Sequence, residues 1–395
     1  MSSRRLFLAS GLTATGLAVT GCAKDADLAR GTQASTAGAS ASQGASSAQQ
    51  TASATPTGPD WTAKAKELSL DQQVGQLFMM GHSSGTLGDA AALAEEHHLG
   101  WLLLLGDAIG GRSAVSLLAS EVSGLSLQVP MMMAVDQEGG RIQRLKGSGF
   151  ATIPPATEQA RLKPAELTAK WQQWGSELRR AGVHYNLAPV ADVVPDDLVA
   201  KTAPIGQLKR HYGTGAMAAG DLAAAAIAGL HKAKVATSVK HFPGLGKVTT
   251  NTDLGEAIDT VTTADDPDLR SFRATIDAGV ASVMVSSAIY QKIDPKNQAA
   301  FSSKIVTDLL RGTLGWQGVV ISDDLGAAAS VQHIPAAERA MRFLQAGGDV
   351  VINANPAIMA TMVGAALDEA RKDAEFADRV AEKCGRVLAL KERFG

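Results

Sequence analysis

Val235-Ala236-Thr237-Ser238-Val239-Lys240-His241-Phe242-Pro243-Gly244 is the stretch from which the fold is read. Its first five residues are short, continuous and largely apolar, as in a strand buried on both faces. A lysine and a histidine stand at the end of that run. Proline and two glycines follow by Gly246, a composition that neither prolongs a strand nor begins a regular helix. The expectation is an exposed loop that opens with two titratable side chains and closes on the carboxylate of Asp253. A surface turn with incidental polar residues has the same local composition, so the rest of the chain has to decide.

The pattern recurs outward from this stretch. Apolar runs at 77–81, 101–105, 131–135, 183–187, 282–285, 319–321 and 350–352 join 235–239 to give eight strand candidates. Helical patterns such as 164–181, 215–233 and 335–346 lie between most of them. That alternation predicts an α/β fold, a (β/α)8 TIM-type barrel forming a single folded domain over 60–395. The alternative is an open doubly wound sheet, although no Gly-x-Gly-x-x-Gly follows the first run, which counts against a dinucleotide-binding version. Polar groups gather just past the runs: Asp136 and Glu138, Asp192, Lys240 and His241, Ser286, Asp323 and Asp324, Asn353. In a parallel barrel these strand ends share one face, and active sites are built there.

The chain has 395 residues, 45% hydrophobic and 19% charged, with a net charge of -2. This supports a large core and gives no electrostatic case for a nucleic-acid partner. Aromatic residues at 4% argue against an extended aromatic binding platform. Two cysteines are too few for a disulfide framework; Cys384 falls on a helical pattern as a small core or half-buried residue. Cys22 ends a different pattern. Arg4-Arg5 precede an apolar segment too short to span a bilayer, and small residues lead into Cys22 as in a lipobox. Residues 1–21 are therefore expected to be a lipoprotein signal, which also resembles a twin-arginine signal, with lipid on Cys22. Residues 22–59, rich in Ser, Ala and Thr, are expected to be a flexible tether. The protein would be exported and held on the outer, cell-wall side of the membrane through that lipid alone.

Three acids stand out for chemistry, Asp136, Asp253 and Asp323, accompanied by Lys240, Arg144 and Arg210. Two carboxylates around a neutral polyol suit glycoside hydrolysis, one attacking or activating water and the other protonating the leaving oxygen. Other readings stay open on the same residues. One of Asp323 and Asp324 could cap a helix beginning at Leu325. Asp136, His241 and Asp323 could gather a metal, although the chain lacks His-x-His and His-Glu-x-x-His. His97 and His98 precede a run and should sit on the opposite face.

Residues 135–144, Val-Asp-Gln-Glu-Gly-Gly-Arg-Ile-Gln-Arg, together with Lys240-His241-Phe242-Pro243-Gly244 and Ile321-Ser322-Asp323-Asp324-Leu325, resemble glycoside hydrolase family 3. The likeness is to its single-domain β-N-acetylhexosaminidases, most of all exported mycobacterial-type members. Residues 68–78 and Asn186-Leu187-Ala188-Pro189-Val190-Ala191-Asp192 add to it. The resemblance implies removal of N-acetylglucosamine from muropeptides, with Asp323 as a nucleophile that forms a covalent glycosyl-enzyme. It implies that Asp136, Arg144, Lys240 and His241 hold the sugar. It aligns Arg210, in Arg210-His211-Tyr212-Gly213, with a subsite arginine and Met284 with the pocket wall. It implies no cofactor and no metal, a small carbohydrate or muropeptide as the partner, and a monomer.

The far end of the loop departs from the family pattern. Members of this subfamily carry Asp-Ser-His there, and the Asp-His dyad is the acid/base. Here the matching residues are Asn251-Thr252-Asp253. Asp253 becomes the candidate acid/base, with Asn251 placed to orient it. An aspartate ordinarily titrates near 3.9, so burial or a neighbouring charge must help it hold a proton. A β-glycosidase or phosphorylase of other sugar preference, and a sugar-binding lipoprotein that has lost catalysis, remain the alternatives.

Overall fold

The computed structural model describes residues 59–83, 85–107 and 110–395. The expected signal peptide, the tether up to residue 58, and Cys22 lie outside the described residues. Eight parallel strands close into a barrel: β1 Phe78–Ser83, β2 Trp101–Leu105, β3 Met132–Val135, β4 Tyr185–Asn186, β5 Ala236–Phe242, β6 Ser282–Val285, β7 Val319–Asp324 and β8 Val350–Asn353. Each strand pairs with its neighbours in chain order and β8 closes on β1, through pairs such as Phe78 with Val351. The apolar runs therefore mark all eight strands, although 183–187 shrinks to the two residues of β4.

Helices Pro164–Arg180, Ala216–Lys232 and Ala336–Gln345 lie where the apolar periodicity places them. The first begins on a proline, whose missing N–H costs nothing at a helix start. Glu166 folds back there to accept the Lys163 N–H at 3.0 Å. Helix Ala374–Phe394 buries one side, Lys391 included. Buried Lys391 donates from Nζ to Gln76 Oε1 at 2.7 Å and to the Gly100 and Pro130 carbonyls at 2.8 Å. Burial pushes this amine down to about 7. Cys384 is free and buried on the same helix. His98, just before β2, offers its carbonyl to Gln76 at 3.0 Å, in keeping with a bottom-face position.

Two short sheets decorate the opposite face. Gln137–Gly139 pairs with Ile142–Gln143 directly after β3. Ile258–Asp259, Ile289–Tyr290 and Asp294–Gln298 form the other sheet. Gly139 needs its freedom here, because its φ is +104° and a Cβ would meet the Pro154 carbonyl oxygen at 2.4 Å.

Candidate active site

Lys240 and His241 are not on an exposed loop. β5 runs on through Phe242, and the two residues are 2% and 5% exposed. The apolar run predicted a strand ending at Val239, but partners on both sides carry it further. Val190 bridges Lys240 on one edge. On the other, Val239 pairs with Val283 and Phe242 with Val285, so β5 spends one extra residue in between. Adjacent strand residues normally face opposite sides. The bulge re-aims them, and both side chains reach one pocket.

That pocket opens at the C-terminal ends of the strands and encloses about 820 Å³ of empty space, mouth included. Asp136, Arg144, Arg210, Lys240, His241, Asp253, Met284 and Asp323 all line it. Segments between residues 136 and 323 thus deliver every catalytic and sugar-binding candidate named from the sequence to one cavity.

Its floor is a charge network. Lys240 Nζ contacts Asp136 Oδ1 and lies 2.7 Å from Glu138 Oε1. Glu138 takes Arg210 in a two-pronged pair, from Nε at 2.9 Å and Nη2 at 2.8 Å. Burial alone would raise the Glu138 carboxyl, but Arg210 and Lys240 outweigh it and hold the group well below the usual carboxylate range. Burial likewise works against the Lys240 ammonium, and Asp136 and Glu138 reverse that effect, leaving its pKa raised. Arg210 therefore faces the pocket with most of its donors already committed, including Nη1 to the Pro204 carbonyl at 2.9 Å. Arg144 differs: it lines the pocket, and its buried Nε has no partner.

Asp192, fully buried, fixes His241. Its Oδ2 lies 2.7 Å from His241 Nδ1, and its Oδ1 accepts the backbone N–H groups of His241 at 3.0 Å and Leu245 at 2.9 Å. Arg210 Nη2 is 3.3 Å from His241 Nε2. A guanidinium only donates, so Nε2 accepts and Nδ1 carries the proton to Asp192. Gly246 lets the loop press against the chain after Asp192, since a Cβ there would meet the Val193 carbonyl oxygen at 1.8 Å. With Asp136 given to Lys240 and His241 to Asp192 and Arg210, the alternative metal trio is already occupied by hydrogen bonds. Among the described residues no group of three or more His, Cys, Asp or Glu side chains is disposed around a metal position.

Asp323 stands at the end of β7. Burial, together with the charge of Asp253, pushes its carboxyl up to about 6. The helix that Asp324 could have capped is not there. The chain turns instead, with Asp324 accepting from Gly326 at 2.8 Å, Ala327 at 3.0 Å and Ala354 at 2.9 Å. Asp324 thus ties the end of β7 to the end of β8, and only Ala329–Val331 forms a single helical turn.

The rim is different in kind. Asp253 is exposed, in contrast to the buried floor. Asn251 does not touch the Asp253 carboxylate. Its Oδ1 accepts the backbone N–H of Asp253 at 3.1 Å and so shapes the turn. The turn is strapped to the segment after Asp323, by Ser330 N–H to the Thr252 carbonyl at 3.1 Å and Ala329 N–H to the Asp253 carbonyl at 3.3 Å.

Residues 69–390 match the model of the glycosyl hydrolase family 3 N terminal domain. The chain belongs to glycoside hydrolase family 3. It is a glycoside hydrolase with the family's closed barrel. Among solved structures it is similar to the β-N-acetylhexosaminidase of Beutenbergia cavernae DSM 12333, at 45% identity and a TM-score of 0.79, covering 82% of this chain and 99% of that one. It is also similar to a family 3 β-N-acetylglucosaminidase of Paenibacillus sp. str. FPU-7, at 29% identity and a TM-score of 0.73, covering 82% of this chain and 62% of that one. A β-hexosaminidase of Xanthomonas oryzae pv. oryzae (strain KACC10331 / KXO85) is 34% identical over 260 residues, 64% of this chain and 75% of the relative.

Two residues of this family 3 site were noted at strand ends in the sequence but were given no role there. Glu138 had a signal: in extended chain, residues 136 and 138 fall on one face, and Gln137 indeed turns away to the Leu145 backbone. Asp192 had a weaker one, an acid just past a strand, with nothing in the sequence to name His241 as its partner.

Proposed function

We propose that this family 3 enzyme is a retaining β-N-acetylglucosaminidase that releases N-acetylglucosamine from cell-wall muropeptide fragments. The observation that carries the reading is the pairing in one pocket of Asp323, raised to about 6 by burial and by Asp253, with the Asp136–Lys240–Glu138–Arg210 floor. The named relatives support the sugar. Ionised Asp323 attacks the anomeric carbon, the glycosidic C–O bond breaks, and Asp253 passes its proton to the leaving oxygen. Water then attacks the same carbon, returns a proton to Asp253 and frees Asp323, so configuration is retained. Asp136, Lys240, His241 and the unpartnered Arg144 hold the sugar's polar groups; Met284 forms part of the apolar wall. Export, lipidation of Cys22, anchoring on the cell-wall side and a monomeric state complete the proposal on sequence grounds.

The test is product analysis on a muropeptide together with mass analysis of protein trapped with a 2-fluoro sugar. N-acetylglucosamine release with retained configuration, and one glycosyl adduct on Asp323 that Asp323→Asn abolishes, are expected. An adduct elsewhere, or an inverted product, contradicts the mechanism. A sugar 1-phosphate formed in phosphate buffer points to a phosphorylase, and binding without turnover to a sugar-binding protein.

A further inference from the structure

Five large apolar side chains stand exposed among the described residues, and three of them, Leu254, Ile258 and Val261, fall within the eight residues after Asp253. A single exposed leucine needs no explanation. The placement of Leu254, 81% exposed, is another matter. Asp253 before it lines the pocket. Thr252, two residues back, is buried, and the turn is closed by the Leu254 N–H to the Asn251 carbonyl at 3.0 Å. The two straps from Ala329 and Ser330 hold the same turn. The Leu254 backbone is thus held directly after the candidate proton donor, with its side chain in water just outside the pocket lining. That donor must meet the leaving oxygen, so the group on that oxygen, the aglycone, has to pass over this rim.

We propose that Leu254 is a specificity-determining residue. It forms an apolar ledge for an aglycone that carries methyl groups, such as the lactyl-alanyl stem of a muropeptide, in preference to a second N-acetylglucosamine. The proposal rests on the hydrolase reading with Asp253 as the acid. The polar floor recognises the sugar that both substrate classes share and cannot tell them apart. Burying the leucine against methyl groups favours one class, whereas a sugar's hydroxyls gain little there. The contact forms on the way to the first transition state and is lost when the aglycone leaves, so it acts on kcat/KM.

The experiment compares kcat/KM for an N-acetylglucosaminyl-N-acetylmuramyl dipeptide with that for chitobiose, in wild type, Leu254→Ser and Leu254→Met. The ratio is expected to fall about tenfold in Leu254→Ser and to return in Leu254→Met. An unchanged ratio, or an equal loss on both substrates, overturns the ledge. Should the wild type release N-acetylglucosamine from neither substrate, the hydrolase reading fails and the ledge falls with it. Release from both with an unmoved ratio overturns the ledge alone.

Discussion

Lys240 and Asp253 stand at the two ends of one stretch of chain and line the same pocket, yet they are built in opposite ways. Lys240 is buried between two carboxylates, one of which also grips Arg210. Asp253 is exposed, and among the described residues no hydrogen bond or ion pair ends on its carboxylate. The floor holds its geometry before any sugar arrives, which is what binding a polar ligand in a defined pose requires. The rim holds only its backbone. Its side chain is left without a hydrogen-bonding partner, as the proposed proton transfer to leaving groups of different sizes requires. Each end can be broken separately.

The largest expected effect is at the floor. Glu138→Gln removes the charge that joins Lys240 to Arg210 and leaves two buried cations short of a partner. Breaking a buried pair on one side costs about 3 kcal/mol or more. Thermal unfolding should register that loss, and kcat/KM should fall about a hundredfold or more on every substrate regardless of leaving group. A variant that unfolds like the wild type and binds sugar normally would show the floor to be less connected than its distances indicate.

The smaller expected effect is electrostatic and runs between the two regions. As the proposed nucleophile Asp323 must be ionised to attack, so kcat/KM on an activated aryl substrate, whose leaving group needs no proton from Asp253, should rise with pH through about 6, the value to which burial and Asp253 push Asp323. Below that, activity should fall about tenfold per pH unit. Asp253→Asn removes one of the raising charges, so the acid limb should move to lower pH when read with an activated aryl substrate. A limb that stays put, or moves up, contradicts the placement of the two carboxylates.

This contrast also explains what the sequence could show. The barrel was legible because strands buried on both faces must be short, apolar and separated by amphipathic helices. The pocket was legible because a parallel barrel puts all its strand ends on one face, which joins Asp136 to Asp323 without any contact being known. Pairings across the chain were not legible. Nothing local in Asp192 names His241, and nothing in Val239 announces that β5 continues for three more residues on the strength of Val190 and Val285. How Asn251 would hold Asp253 was not legible for a related reason: a short amide next to a turn binds the nearest backbone N–H before it reaches a side chain.

The central claim is that an exposed, unpaired aspartate performs the proton transfer that the resembling single-domain subfamily gives to a histidine dyad. Asp253→Asn tests it most directly, assayed on an unactivated disaccharide and on an aryl N-acetylglucosaminide with a good leaving group. The disaccharide should lose about 10²–10⁴-fold, the range of general acid catalysis, while cleavage of the aryl substrate, whose leaving group needs no proton, loses far less. Equal losses on both, or none on either, would show that Asp253 is not the acid.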